Sequence, residues 1–348
     1  MNFKKKTLNI RDLKEGMVTA DEILSNGKVL VGKDKVLTEH MLNKLNSLCT
    51  FDDIEIYTNE KDNSEEIVAL KAADKTLNNI SIDVKLIFDN VKTLQSYNTN
   101  EINKYAKKLM KELKLNNKIL KSVVLHGSGD DCIYRHSVNV ASLSYLFGKW
   151  HGLNDAQLHN LIYASLLHDF GKTKIDKKIL NKKGKLNKEE FETIKTHTTV
   201  GYNEIKNIPF ISKSVIYSIL MHHERCDGSG YPLGLKGNQI HEFAKIIAIS
   251  DTFDAINSNR CYKKKSKPLE ALRIIQEESL NKLDYTLCCT FLKGMANFYT
   301  GQEVLLNNDS KAKIIQIDLN NISSPLILCE DEFIDLTKTD DLYIVEIL

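Results

Sequence analysis

The sequence predicts a mainly α protein: a helical bundle preceded by a small α/β module and followed by a short β-rich extension. Three observations carry this expectation. From about residue 65 to 122, apolar residues recur at helical spacing with no glycine or proline. The same period continues to about residue 300, interrupted only where turn and loop residues cluster. After Gly301 it gives way to short β-branched runs.

Each element follows from local pattern. Residues 16–38 alternate short apolar runs with the turn pairs Glu15-Gly16, Asn26-Gly27 and Gly32-Lys33, so a small sheet is expected, with a hairpin at Asn26-Gly27. A helix should follow over about 38–48. Val84, Ile87, Phe88 and Val91 lie on one helical face, which reads as a connector packed on the core. Val138, Ala141, Tyr145 and Leu146 mark one bundle helix, and Leu158, Leu161, Ile162, Ser165 and Leu166 the next. Asn187 with Glu190 resembles a capping box, so a helix should open there and carry His197 near its third turn. The stretch from Cys226 to Gly237 holds four glycines and one proline without a helical period, and must be a loop. The runs KAKIIQIDL, PLILCE, FIDL and LYIVEIL, separated by Asn-rich turns, suggest a small meander. The expected organisation is an N-terminal module over 1–62, a helical connector over 63–122, a catalytic region over 123–300 and the extension over 301–348.

Composition excludes several classes. A chain of 348 residues with net charge +2 is long enough for a large core and offers no strongly basic surface, so DNA is not an expected partner. The seven cysteines are odd in number, irregular in spacing and form no CxxC pair, which argues against a disulfide framework and fits a reducing cytosol. The start MNFKKKTLNIRDL lacks a following apolar segment, and no apolar run reaches about 18 residues, so a cytoplasmic protein without membrane insertion is expected.

The chemistry lies elsewhere. His168-Asp169 in LLHDFGK puts an imidazole beside a carboxylate that can bridge two cations. His136 in YRHSVNVAS, His197 in IKTHTTVG, the His222-His223 doublet and Asp251 in IAISDTFDAI join it, each in a stretch that otherwise reads as buried helix. A lone histidine in such a setting is usually a satisfied core residue, but five of the ten histidines fall into this set, which points to a metal site. Adjacent helical residues diverge by about 100°, so His222 and His223 can reach one cation only near a helix end, and the loop three residues on supplies one. Five imidazoles, two carboxylates and no thiolate suit iron or manganese better than structural zinc.

In order and spacing, HDFGK at 168–172, Lys-Thr-His at 195–197, HHERCDGSGYP at 222–232 and DTFDAINSNRCYK at 251–263 resemble the HD-GYP family, a branch of the HD phosphohydrolases whose members hydrolyse the bacterial second messenger cyclic di-GMP. The resemblance runs from about residue 130 to 298. It implies a metal-dependent phosphodiesterase giving linear pGpG, with further cleavage to GMP left open. It also implies two divalent ions, Fe or Mn: one on His136, His168, Asp169 and Asp251, the other on Asp169, His197, His222 and His223, with hydroxide between them as nucleophile. Asp169 and Lys172 would be catalytic; Lys172, Arg260, Lys263 and Tyr231 would contact substrate; Gly230, Tyr231 and Pro232 would form the pocket lip. Where family members with three metals carry a glutamate four residues before the first histidine, this chain has Cys132, which favours two metals. A homodimer and a diguanylate cyclase are the protein partners left open. Another cyclic dinucleotide as substrate, or a non-enzymatic receptor role, are the competing readings; the second needs lost metal ligands, and none is lost.

Overall fold

A computed structural model describes the chain apart from residues 1–3, 11–12, 16, 26–27, 34, 49–52, 59–62, 92–98, 128–132, 183, 210, 259–268, 331 and 340. It divides into two compact units, Met1–Ala69 and Leu70–Leu348. The first contains β1 (Lys4–Asn9), β2 (Val18–Thr19), β3 (Ile23–Ser25), β4 (Lys28–Val31), α1 (Glu39–Leu48) and β5 (Asp53–Thr58). β5 is central, antiparallel to β1 and β2. On it Ile54 and Ile56 turn inward while Glu55 does not, and they join Ile10, Leu13, Ile23, Val31, Leu37 and Leu45 in the core of this unit. β3 and β4 form the expected hairpin, with Ser25 opposite Lys28; the Asn26-Gly27 pair lies outside the described residues.

The second unit is helical. α2 (Asn63–Val91), which begins in the first unit, is followed by α3 (Thr99–Leu115) and α4 (Asn117–His126). Ala73, Leu77, Ile80, Val84 and Phe88 repeat at helical spacing on α2 and are buried. α5 (Ile133–Trp150) is buried from Arg135 to Tyr145 without interruption, so it occupies the middle of the bundle. α6 (Asp155–Leu167) opens on a capping box between Asn154 and Gln157 and packs closely on α5 across Gly148, where an added Cβ would meet Leu158 at 2.8 Å. α7 (Lys177–Leu180), α8 (Lys188–Lys195), α9 (His197–Ile205), α10 (Lys213–Met221), α11 (Glu242–Asn257), α12 (Glu270–Glu278) and α13 (Tyr285–Tyr299) complete the helical part.

One expectation is corrected. The Asn187–Glu190 capping box does open a helix, α8, but that helix ends at Thr196, and His197 begins α9 instead of riding on a third turn. The last turn tightens: Thr196 donates both its amide and its hydroxyl to the Thr193 carbonyl, at 3.2 and 2.7 Å. A three-residue closure of this kind ends the α ladder.

α13 locks the far side of α5. Phe291 meets Phe147 and Phe253 edge-on at 5.1 and 5.6 Å, and Gly294 lets the Trp150 ring approach so closely that a Cβ would sit 2.2 Å from it. Gly294→Ala should therefore cost about 1–3 kcal/mol through overpacking. Trp150 is the chain's one tryptophan, so thermal unfolding followed by its fluorescence checks this directly; an unchanged midpoint and emission would contradict it.

The C-terminal strands β6 (Glu303–Leu306), β7 (Lys311–Gln316), β8 (Leu326–Cys329), β9 (Glu332–Asp335) and β10 (Ile344–Ile347) form an antiparallel sheet in the order β10-β6-β7-β8-β9. The expected meander holds for β6 to β9, with one more strand, EVLL, whose four residues carry too little pattern to announce it; β10 departs from it, crossing to the opposite edge to pair with β6. Val304, Leu306, Ala312, Ile314, Ile327 and Ile344 face inward and belong to the same hydrophobic core as the helices. Among the described residues no helix is long and apolar enough to cross a membrane, and Cys226, Cys288, Cys289 and Cys329 are free thiols.

Candidate metal centre

Three of the histidines occupy their positions through one local device. His168 and His222 are the C-caps of α6 and α10, and His197 follows the last residue of α8 by two. Each ring folds back so that Nδ1 meets the carbonyl three residues earlier: Ser165 at 2.7 Å, Ile194 at 2.7 Å and Ile219 at 2.9 Å. The last carbonyls of a helix lack partners inside it, so the imidazole satisfies one of them. A carbonyl only accepts, so Nδ1 carries the proton and the Nε2 lone pair is directed to the site. His136, on α5, uses a carboxylate for the same purpose: its Nδ1 lies 2.7 Å from Asp254 Oδ2.

Asp169 is the point where these rings meet. It follows the end of α6 and leads into a 3-10 turn, Phe170–Lys174. Its Oδ2 faces His136 and His168, at 3.7 and 3.5 Å from their Nε2 atoms, whereas its Oδ1 faces His197 and His222, at 3.4 and 4.0 Å. Asp251 Oδ1 stands 3.0 Å from His136 Nε2. The seven side chains thus form two groups with mutually close ligand atoms, within 4.8 Å: Asp169, His197, His222 and His223, and His136, His168 and Asp251. The two oxygens of one carboxylate face the two groups separately.

The electrostatics favour cations here. Burial lowers the basicity of His168, His222 and His223, and takes His197 down to about 4, so all four rings are neutral and keep a lone pair. Burial would raise Asp169, but the Lys172 ammonium beside it outweighs burial and holds its carboxyl well below the usual range. Asp251 is likewise held low against burial, chiefly by His136. His136 is the exception: burial opposes its charge, yet Asp251 and Asp254 raise it to about 9, which marks a place where positive charge is stabilised. His168 Nε2 and Asp169 Oδ1 are buried without a hydrogen-bond partner, an arrangement that costs free energy unless a cation is bound. The residues present fit a metal pair.

Lys172 lies one turn beyond Asp169, with Nζ 2.6 Å from Oδ2. Tyr231 stacks on His223 at 4.8 Å, its hydroxyl made less acidic by burial, and Lys195 Nζ lies 5.6 Å from its ring centre. The loop that carries it is held from below. Glu224, 3% exposed, accepts the amides of Leu233 and Leu235 at 2.7 and 2.9 Å, and Cys226 donates its amide to the Lys282 carbonyl at 2.7 Å. Gly230 lies against the Glu224–Arg225 backbone, where a Cβ would be 2.3 Å from the Arg225 nitrogen; the glycine before Tyr231 and Pro232 is required by this approach. Arg260, Lys263 and Cys132 lie outside the described residues.

Sequence reasoning missed Asp254 and Glu224. The signal for Asp254 was its three-residue spacing from Asp251 on α11; for Glu224 it was a carboxylate directly after two candidate ligands. Glu224→Ala should release the loop. Hydrogen bonds to a charged acceptor contribute about 1.5–3 kcal/mol each, so amide exchange at Leu233 and Leu235 should quicken by an order of magnitude or more. Exchange unchanged at both would refute the anchoring role.

Residues 128–287 match the HD domain family model. The chain is 33% identical over 208 residues to a cyclic di-GMP phosphodiesterase of Pseudomonas aeruginosa, covering 60% of this chain and 50% of that protein. It is 42% identical over 149 residues to a cyclic di-GMP phosphodiesterase of Thermotoga maritima, covering 42% and 40%. To a 3'3'-cGAMP-specific phosphodiesterase of Vibrio cholerae it is 34% identical over 168 residues, covering 48% and 38%. The chain thus spans half or less of these relatives' lengths. A solved HDG"Y"P protein from Bdellovibrio bacteriovorus shares the fold, with a TM-score of 0.50 at 17% identity over 84% of this chain and 99% of that one.

Proposed function

We propose that the chain is a member of the HD-GYP branch of HD-domain hydrolases and a metal-dependent phosphodiesterase that opens cyclic di-GMP to linear pGpG, a reading supported by its HD domain and by its similarity to cyclic di-GMP phosphodiesterases. The observation that carries this reading is the carboxylate of Asp169, whose two oxygens face two separate groups of ligand atoms. His136, His168, Asp251 and Asp169 Oδ2 would hold one cation, and Asp169 Oδ1, His197, His222 and His223 the other. Two such cations supply an activated water at neutral pH and neutralise the non-bridging phosphate oxygens. The donor set, imidazole and carboxylate without thiolate, favours two iron or manganese ions per chain.

The chain's own residues do the remaining work. Three of the neutral imidazoles, His168, His197 and His222, are held in one tautomer by helix carbonyls, so they need no rearrangement to ligate. Lys172 places a point charge at the edge of the pair, where a substrate phosphate adds negative charge. Arg260 and Lys263 would contact the phosphates as well. Tyr231, stacked on His223 and held by the anchored loop, offers a flat face for a guanine at the rim.

The test is turnover of cyclic di-GMP by the full chain purified without oxygen, with iron and manganese measured on the same sample. Metal near two ions per chain and release of pGpG are expected. The similarity to 3'3'-cGAMP-specific enzymes favours one rival, so 3'3'-cGAMP is assayed in parallel; exclusive cleavage of it would replace the substrate assignment while keeping the chemistry. Metal-loaded protein that cleaves neither would overturn the enzymatic reading.

A further inference from the structure

The residue before the first histidine ligand is a buried arginine. Arg135 is 6% exposed, and a guanidinium so placed needs partners on every side. Nη2 donates to Asp74 Oδ1 at 2.7 Å and Nη1 to Asn78 Oδ1, two side chains one turn apart on α2. Nε donates to Asn139 Oδ1 at 3.2 Å. With its oxygen committed to Arg135, the Asn139 amide must turn its nitrogen the other way, and Nδ2 donates to Asp254 Oδ1 at 3.1 Å. The other oxygen of Asp254 accepts His136 Nδ1 at 2.7 Å, and His136 Nε2 faces Asp251. Every link has one permitted polarity. An unbroken polar path therefore runs from α2 to a side chain of the first ligand group.

We propose that this path couples α2 to the His136 metal subsite, with Arg135, Asn139 and Asp254 as positioning residues; the proposal rests on the metal-dependent reading above. The bonds from Arg135 to Asp74 and Asn78 are those that join it to α2. The continuation through Asn139 and Asp254 serves the orientation of His136. A shift of α2 changes the direction of the Arg135 fork, hence the Asn139 amide, hence the carboxylate that holds the His136 ring.

The test is manganese titration of the full chain, read by calorimetry and by the paramagnetic signal of free ion, which report binding without turnover. Asp254→Asn puts an amide nitrogen against the Asn139 nitrogen or against His136, and should weaken one of the two binding events by about tenfold or more, with the other unchanged. Asn139→Asp combined with Asp254→Asn restores a donor opposite an acceptor at every link, and should return that event to within a few fold of the parent. Asp74→Ala with Asn78→Ala removes both side-chain partners of Arg135 on α2, and in protein that circular dichroism shows to be folded it should weaken the same event several fold. A parent with two binding events that this α2 variant leaves unaltered overturns the relay alone, as does a swap that folds by circular dichroism yet stays as weak as Asp254→Asn. A parent that binds no manganese overturns the metal reading and the relay together.

Discussion

Asp169→Ala is expected to leave less than about a tenth of parental phosphodiesterase turnover, because the substitution removes the one carboxylate shared by both ligand groups. The remaining groups are unequal: His197, His222 and His223 on one side, His136, His168 and Asp251 on the other. Without Asp169 the first has no anion, so its cation should be lost, while the second keeps Asp251 and should hold metal more weakly. Lys172 also loses the partner at 2.6 Å that balances its charge. Turnover and metal content measured on one folded sample check this together. A variant that keeps two ions, or more than about a tenth of the rate, would remove Asp169 from the bridging role.

Gly171→Ala should be nearly as damaging without touching a ligand. An added Cβ would lie 1.9 Å from the His197 carbonyl oxygen, 2.7 Å from its carbon and 2.8 Å from the Gly201 nitrogen. These are backbone atoms, so the 3-10 turn after Asp169 and the start of α9 must separate by more than an ångström. That moves Asp169 away from His197, and a misplacement of about 1 Å can cost a hundredfold in rate. Overpacking adds about 1–3 kcal/mol of lost stability. Thermal unfolding and metal-loaded turnover should both fall; a variant with parental values in both would show that the two segments can part freely.

Much of this site was legible before folding. The five histidines and two aspartates stand out because each interrupts an apolar helical pattern where a polar side chain needs a reason. The loop after His223 announces itself by its glycines, and the helix starts at Asn154 and Asn187 by their side chains. The break at Thr196 was not legible, since residues 188–205 keep a helical period throughout. It is made by packing, where α9 must start against Gly171. The role of Asp254 was hidden for the same reason: its partners His136 and Asn139 lie more than a hundred residues away.

The sequence by itself determined the chemistry available, which donors exist and in what number, and the local elements that carry them, because residue type and short-range periodicity are local properties of the chain. Only the tertiary structure decided that Asp169 turns one oxygen to each ligand group, that Glu224 holds the Tyr231 loop and that Asp254 orients His136. Those outcomes depend on how α2, α5, α6, α9, α10 and α11 pack, since a side chain's partner is set by which backbones are brought within a few ångströms, and close packing of distant segments is what fixes that distance.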